Sequence, residues 1–379
     1  MSSLKPHIVF AGGGTLGHLY SGLAVACELV RQARGVRVTF CGNGSDWERR
    51  QVIAGGYDYL AIPCRAPSTN PIAANRFLKE NAAGYAAAVQ FLRRPEMAAV
   101  VGLGGYASVP LARAAMARRI PLVLLEQNAY PGRATRWLAP AAALVCTAFA
   151  EARAHLHIGG AIRVTGNPVR AGFFETSSAA HQAPFIGHRP RRLVILGGSH
   201  GAAALNHAVP RALYKLRHSL REWEIIHQSG PSQYDATRRT YAKLALTARV
   251  ERFIGNMPEI LGGADLAISR AGGTTIAELA ATGVPAILVP YPHAVDDHQR
   301  RNADVLAAAS ACRIVDEREL SDRLDVQLAD VLAEVLFDAR ARAAMSLAMA
   351  ARARPDAAWH VASLVRTFCR SRRKLIDVA

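Results

Sequence analysis

Ile8-Val9-Phe10-Ala11-Gly12-Gly13-Gly14-Thr15-Leu16-Gly17-His18 runs from an apolar strand-like segment through a glycine turn into a helical pattern. The second half of the chain repeats the arrangement in Val194-Ile195-Leu196-Gly197-Gly198-Ser199-His200-Gly201-Ala202. A short apolar strand feeding a tight glycine turn and then a helix is the opening of a doubly wound α/β unit. Two such openings in 379 residues argue for two units in tandem, since a chain of this length exceeds what one hydrophobic core serves.

Working outward, further strand patterns fall at 7–11, 36–41, 59–63, 98–103, 121–126 and 143–147 in the first half. In the second half they fall at 192–196, 224–228, 250–254, 266–269, 286–289 and 312–315. Helical patterns, such as 22–34 and 75–92, lie between most of them. Short β-rich runs separated by helices predict parallel sheets covered on both faces. The Ser-, Ala-, His- and Pro-rich stretch 175–190 reads as a linker. The expected division is therefore a Rossmann-like domain over 1–170, a second over 171–355, and a helix over 356–379 that returns to the first. Two doubly wound domains place ligands at the carboxyl ends of their strands, hence in a cleft that the domains face across.

Hydrophobic residues make up 51% of the chain and charged residues 20%, which fits a folded globular protein. No apolar stretch is long enough to span a membrane, and the N-terminal residues leave no room for a signal-peptide apolar region, so a cytoplasmic protein is expected. Cys27, Cys41, Cys64, Cys146, Cys312 and Cys369 form no C-x-x-C pair and read as reduced, mostly buried thiols. The formal charge of +17 attracts anions of any kind: nucleic acid, anionic lipid or phosphorylated small molecules. No recognition helix, zinc site or stacking motif accompanies it, so nucleic acid is not an expected partner.

Gly12 to Gly17 satisfies G-x-G-x-x-G, the dinucleotide fingerprint. That fingerprint also requires an acid at the end of the second strand to hold the ribose. Here the strand ends Thr39-Phe40-Cys41-Gly42-Asn43, and no acid appears before Asp46, which argues against NAD. Further glycine turns at Gly102-Leu103-Gly104-Gly105-Tyr106 and Gly197 to Ala202 suit a phosphate-bearing ligand, because glycine lets backbone N–H groups approach anionic oxygens. The segment Ser269-Arg270-Ala271-Gly272-Gly273-Thr274-Thr275-Ile276-Ala277-Glu278 is more specific. It joins a strand to a helix whose first turn offers N–H groups and two hydroxyls. Glu278 stands one turn in, where a carboxylate can take both ribose hydroxyls or simply favour the helix dipole. With no D-x-D triplet and no metal-ligand spacing, neither metal nor cofactor is expected. Helix N-termini, hydroxyls and Arg would have to stabilise a departing diphosphate.

These motifs, in this order over residues 7 to 316, resemble the MurG family of peptidoglycan glycosyltransferases. The series is Gly13-Gly14-Thr15-Leu16-Gly17-His18, Gly102 to Pro110, Glu126-Gln127-Asn128, Gly166-Asn167-Pro168-Val169-Arg170, Gly197 to Ala202 with Asn206, and Arg270 to Glu278. It closes with Pro290-Tyr291-Pro292 and Asp296-Asp297-His298-Gln299 followed by Asn302. The resemblance implies a GT-B fold and transfer of N-acetylglucosamine from UDP-N-acetylglucosamine to undecaprenyl-diphosphate-linked muramoyl-pentapeptide. The partners would be those two substrates and the anionic cytoplasmic face of a bacterial inner membrane, held peripherally.

It further implies that Ile254 backbone groups read the uracil and Glu278 the ribose. Ser199, Arg170 and the helix start Gly273, Thr274, Thr275, Ile276, Ala277 would hold the diphosphate. His298 and Gln299 would hold sugar hydroxyls, and Asn128 would meet the donor sugar from the first domain. Thr15, Leu16 and Gly17 would line the substrate site. Gly14, Gly104, Gly105 and Tyr106 would face the acceptor diphosphate. Two positions depart from the family: Leu16 replaces a glycine, and Ser21-Gly22 stands where Pro-Ala is usual.

The reaction needs a base for the acceptor hydroxyl. His18 is one candidate because imidazole titrates near neutrality; Glu126 is the other. The helix 75–94 carries Arg76, Lys79, Arg93 and Arg94 among Phe77, Leu78, Tyr85 and Phe91, a pattern that suits either an anionic leaflet or the domain's own core. Alternative activities on this architecture are a GT-B transferase with another lipid acceptor and a UDP-N-acetylglucosamine 2-epimerase.

Overall fold

The strand His7–Gly12 (β1) is buried along its whole length, and this burial on both faces organises the first unit. The computed structural model describes residues 5–14, 16–67, 70–176, 190–198, 201–318 and 323–376. It contains two compact units, Met1–Arg170 with Arg354–Ala379, and Ala171–Ala353. Most of the 175–190 stretch lies outside the described residues.

The strands of the first unit are β1, β2 (Arg37–Gly42), β3 (Asp58–Ala61), β4 (Met97–Gly104), β5 (Leu122–Glu126), β6 (Leu144–Thr147) and β7 (Ala161–Val164). They form one sheet in the order β3-β2-β1-β4-β5-β6-β7, with every pair parallel. The helices are α1 (Leu16–Gln32), α2 (Asp46–Ala54), α3 (Pro71–Phe91), α4 (Val109–Ala117) and α5 (Arg133–Leu138). One face of the sheet packs against α1, the other against α3 and α4, each through its own apolar cluster. β7 was not anticipated from the sequence. It is a four-residue edge strand with half-exposed and exposed positions, and Arg163 interrupts its short apolar run.

The second unit repeats the plan. Strands β8 (Arg191–Leu196), β9 (Trp223–Gln228), β10 (Arg249–Glu251), β11 (Leu266–Ser269), β12 (Ala286–Leu288) and β13 (Cys312–Ile314) form a parallel sheet ordered β10-β9-β8-β11-β12-β13. Its helices are α6 (Ala203–Lys215), α7 (Tyr234–Lys243), α8 (Met257–Gly262), α9 (Gly273–Thr282), α10 (His298–Ala308), α11 (Leu324–Phe337) and α12 (Ala339–Ala350). The last helix, α13 (Ala357–Ile376), belongs to the first unit, where Val361, Ala362 and Val365 join the core beside α1.

Strand order explains why glycines sit where they do. In each sheet the chain reverses direction across the sheet at one seam: β1 against β4, and β8 against β11. At such a seam two strand-to-helix turns emerge side by side with no helix crossing between them. In the first unit Gly12 pairs with Gly104, so the glycine turn after β1 and the one after β4 are neighbours. In the second, Leu196 pairs with Ser269, which sets the turn at Gly197 beside the entry to α9. Close packing forbids side chains there: a Cβ on Gly22 of α1 would lie 2.7 Å from Leu103 of β4. Among the described residues no helix is long and apolar enough to cross a membrane.

Candidate active site

In the first unit, His18 lies one turn into α1, half-buried, with its ring against the second glycine turn. A Cβ on Gly104 would be 3.1 Å from His18 Nε2, and one on Gly105 3.5 Å from Cε1. Gly104 and Gly105 have φ of 101° and 70°, a left-handed region that suits glycine, so the ring rests on bare backbone. Tyr106 follows, its hydroxyl accepting from Asn43 Nδ2 at 3.3 Å. Thr15 lies outside the described residues, while Leu16 and Gly17 form the start of α1.

Gly14, expected to face the acceptor diphosphate, donates its N–H to Glu48 Oε1 at 2.6 Å. Glu48 comes from α2 and is only 4% exposed. Its other oxygen accepts from the Tyr59 hydroxyl at 3.1 Å. The acid missing from the end of β2 thus does reach the first turn, but from below and bound to backbone.

Glu126 ends β5 and is equally buried. Oε1 accepts from the Asn128 N–H and from Asn128 Nδ2, both at 3.0 Å, and Oε2 accepts from Gly132 N–H at 3.0 Å. Its carboxylate therefore ties the 126–132 loop to the start of α5, and it presents Asn128. Gln127 donates to the Leu103 carbonyl at 3.0 Å and braces the neighbouring turn. Ser21, where the family usually has proline, has its Oγ 2.9 Å from Asn167 Oδ1 and 3.1 Å from the Gly17 carbonyl, linking α1 to the Gly166–Arg170 motif. Arg170 closes that motif with its guanidinium 4.0 Å from the Tyr20 ring centroid, inside the first unit.

In the second unit, Ser199 and His200 lie outside the described residues. Gly198 and Gly201 have φ of 83° and 78°. A Cβ on Gly201 would strike the Ser229 carbonyl, which itself accepts from Asn206 Nδ2 at 2.8 Å. Asn206 Oδ1 meets His227 Nε2 at 2.9 Å, and His227 Nδ1 meets the Tyr241 hydroxyl at 2.9 Å. His227 is fully buried, and desolvation lowers its pKa to about 3, so the ring is neutral.

Gln228 donates to the Gly198 carbonyl and accepts from the Ile254 N–H, each at 2.9 Å. No motif in the sequence marks this amide, which joins the glycine turn to the loop expected to read uracil. The Ile254 N–H is therefore engaged by protein.

At α9 the helical bonding begins with Ile276 N–H to the Gly272 carbonyl, so the N–H groups of Gly273, Thr274 and Thr275 precede it. Ile276 turns into the core, while Thr274 and Glu278, four residues apart, share the half-buried face. Ala277 stays partly exposed beside them. Gly283, at φ 68°, ends the helix with a left-handed cap.

The entry to α9 is held from α10. Gln299 Oε1 accepts from Ala271 N–H at 3.2 Å and Tyr291 N–H at 3.0 Å, and Asn302 Nδ2 donates to the Ala271 carbonyl at 3.0 Å. Only the Nε2 hydrogens of Gln299 are then left to donate. His298 Nδ1 lies 2.8 Å from the Val295 carbonyl, which leaves Nε2 as the second ring nitrogen. Asp296 and Asp297 immediately before it have φ of 53° and 56°, a left-handed pair that Arg318 secures through Asp297 at 3.1 Å. Among the described residues no three His, Cys, Asp or Glu side chains are grouped as metal ligands.

Two parallel doubly wound sheets, a histidine against paired glycine turns in one and a glutamate-bearing helix start in the other, define a nucleotide-sugar glycosyltransferase of the GT-B class. A glycosyltransferase family 28 N-terminal domain matches residues 8–147, and a glycosyltransferase family 28 C-terminal domain matches 192–361. The chain is 42% identical over 370 residues to a UDP-N-acetylglucosamine–N-acetylmuramyl-(pentapeptide) pyrophosphoryl-undecaprenol N-acetylglucosamine transferase of Methylococcus capsulatus, covering 94% of this chain and 97% of that protein. The crystal structure of Acinetobacter baumannii MurG matches with a TM-score of 0.72 at 30% identity, over 96% of this chain and 99% of that one. A UDP-GlcNAc 2-epimerase from Neisseria meningitidis, at 13% identity and TM-score 0.68 over 95% and 100%, shares the fold alone. The chain belongs to glycosyltransferase family 28, within its MurG group of N-acetylglucosamine transferases.

Proposed function

We propose that this enzyme transfers N-acetylglucosamine from UDP-N-acetylglucosamine to the C4 hydroxyl of undecaprenyl-diphospho-N-acetylmuramoyl-pentapeptide, inverting the anomeric carbon in one displacement. The observation that carries this reading is the 42% identity, over 94% of this chain, to a transferase of that name. In it, the second unit takes the donor. The N–H groups of Gly273, Thr274 and Thr275 would, with the helix dipole, stabilise a departing diphosphate, with Ser199 as a further ligand. Glu278 takes the ribose hydroxyls. Ile254 meets uracil through its carbonyl, because its N–H is held by Gln228. His298 Nε2 and Gln299 Nε2 are the atoms left for sugar hydroxyls.

The first unit takes the acceptor along Gly104, Gly105 and Tyr106. His18 is the base in this reading. It is half-buried and lies on the acceptor turn, whereas Glu126 has both oxygens engaged by backbone and Asn128. Helix α3 supplies membrane contact at the cytoplasmic face. It buries Gly84 and Ala88 while exposing Arg76, Leu78, Lys79 and Tyr85, so one helix serves both the core and an anionic leaflet.

Product analysis tests the reading directly. The purified chain is incubated with radiolabelled UDP-N-acetylglucosamine with and without the muramoyl-pentapeptide lipid. Label in the lipid phase only when that acceptor is present is the expected result. Conversion of the donor sugar without acceptor would mean an epimerase, and labelling of diacylglycerol would mean another lipid transferase.

A further inference from the structure

The carboxylate of Glu48 lies directly beneath the first glycine turn. Its two oxygens have separate tasks: Oε1 takes the Gly14 N–H at 2.6 Å, and Oε2 takes the Tyr59 hydroxyl at 3.1 Å. Tyr59 in turn accepts from Gly44 N–H at 3.0 Å. A single relay therefore joins the loop after β2, strand β3 and the turn after β1. Burial keeps the Tyr59 phenol well above its ordinary pKa, so it stays a donor.

Glycine placement shows that the site is built around the carboxylate. A Cβ on Gly13 or on Gly42 would land on it, so two glycines on two different strands' turns make its room. The same turn touches its neighbour, since a Cβ on Gly105 would be 3.2 Å from the Gly13 carbonyl and 3.5 Å from His18 Cε1. Fixing Gly13 and Gly14 thus fixes the start of α1 and the histidine that issues from it. A carboxylate bonded to the Gly14 N–H also removes that amide from any anion's reach and sets a like charge beneath it.

We propose that Glu48 is a positioning residue for the transfer: it holds the Gly13–Gly14 turn and thereby His18, and Gly14 is not a ligand of the acceptor diphosphate. The inference rests on the transfer reading above, so its test has one arm that needs no turnover. Hydrogen exchange at the Gly14 amide should be slow in the native chain and in Glu48→Gln, whose Oε1 still accepts. It should be fast in Glu48→Ala and in Glu48→Asp, which keeps the charge but is one methylene too short.

In the transfer assay Glu48→Gln should keep kcat within about threefold. Glu48→Ala and Glu48→Asp should lose roughly 10–100-fold in kcat through misplacement of His18, with UDP affinity unchanged. If Glu48→Ala does not fold, Gln against Asp decides. An active Asp variant with an inactive Gln variant would show that charge, not the hydrogen bond, matters, and would overturn the proposal. So would native kcat in Glu48→Ala, or a Gly14 amide that exchanges equally fast in all forms. A native chain that transfers no sugar yet shows the expected exchange pattern would instead count against the transfer reading.

Discussion

The two glycine turns that open the two units look alike in sequence, yet they are supported by opposite chemistry. Beneath the turn after β1 lies a carboxylate, Glu48, bonded to the Gly14 N–H. Among the described residues, the groups bonded around the turn after β8 are neutral: the Gln228 amide on the Gly198 carbonyl, and Asn206 with uncharged His227 around Ser229. A buried anion under a turn opposes a second anion on top of it, while a neutral amide does not. Neutral support is what the diphosphate site proposed for the second unit requires. The first turn is braced by a carboxylate, and the histidine that follows it rests against the neighbouring turn at Gly104 and Gly105. Glycine-rich turns at equivalent strand ends are not equivalent sites.

The sharpest way to break this contrast is at His18. If the first unit supplies the base and the second the donor site, His18→Ala should lower kcat by about 10²–10⁴-fold and leave UDP affinity unchanged. The acidic limb of the kcat profile should go with it. A variant with native kcat rejects the assignment and returns suspicion to Glu126.

The mirror experiment lies in the second unit. Glu278→Ala should raise the donor KM by about 10–100-fold, the equivalent of losing a charge-assisted hydrogen bond of roughly 1.5–3 kcal/mol. Acceptor KM should stay put. An unchanged donor KM would remove Glu278 from the ribose.

Acid should weaken both units through their buried histidines. His7, bonded to Thr39 at 2.8 Å, has its pKa lowered to about 4, chiefly by desolvation, and His227 to about 3. Each is neutral when folded but takes a proton in the unfolded chain below about pH 6.5. Stability is then fully present above pH 6.5 and falls as pH drops toward the folded values. At pH 5 the loss is about 2 kcal/mol per histidine. Denaturant midpoints at pH 8 and pH 5 measure it, and His227→Asn should flatten the slope for the second unit. Midpoints independent of pH would contradict the neutral-ring picture.

The smallest effect bears on the contrast most directly. Gln228→Glu places a carboxylate beneath the donor turn, which can still accept from Ile254 N–H but cannot donate to the Gly198 carbonyl when ionised. UDP should bind about tenfold more weakly, a loss of the order expected for one unmade buried hydrogen bond. Calorimetry with UDP is sufficient. Undiminished binding would mean that the second turn tolerates a buried anion as the first does, and the distinction would fall.

Much of this protein was readable before any coordinates. Parallel strands buried on both faces must be continuously apolar, so twelve strand patterns and the α/β class followed from composition along the chain. The edge strand β7 escaped because Arg163 interrupts the short apolar run of Ala161–Val164. The ordered motifs named the family, because turns that approach anions closely need glycine wherever they occur. What each turn is supported by was not readable. Glu48 stands 34 residues from Gly14, Gln228 stands 26 from Ile254 and Gln299 stands 28 from Ala271, and nothing local in the sequence announces such pairs. That the Glu126 oxygens accept from Asn128 and Gly132 is likewise visible only in the folded chain. Periodicity and glycine spacing are local properties that determine where strands end and helices begin. Which side chain satisfies a buried N–H depends on strand order and register, and only the folded sheet decides that.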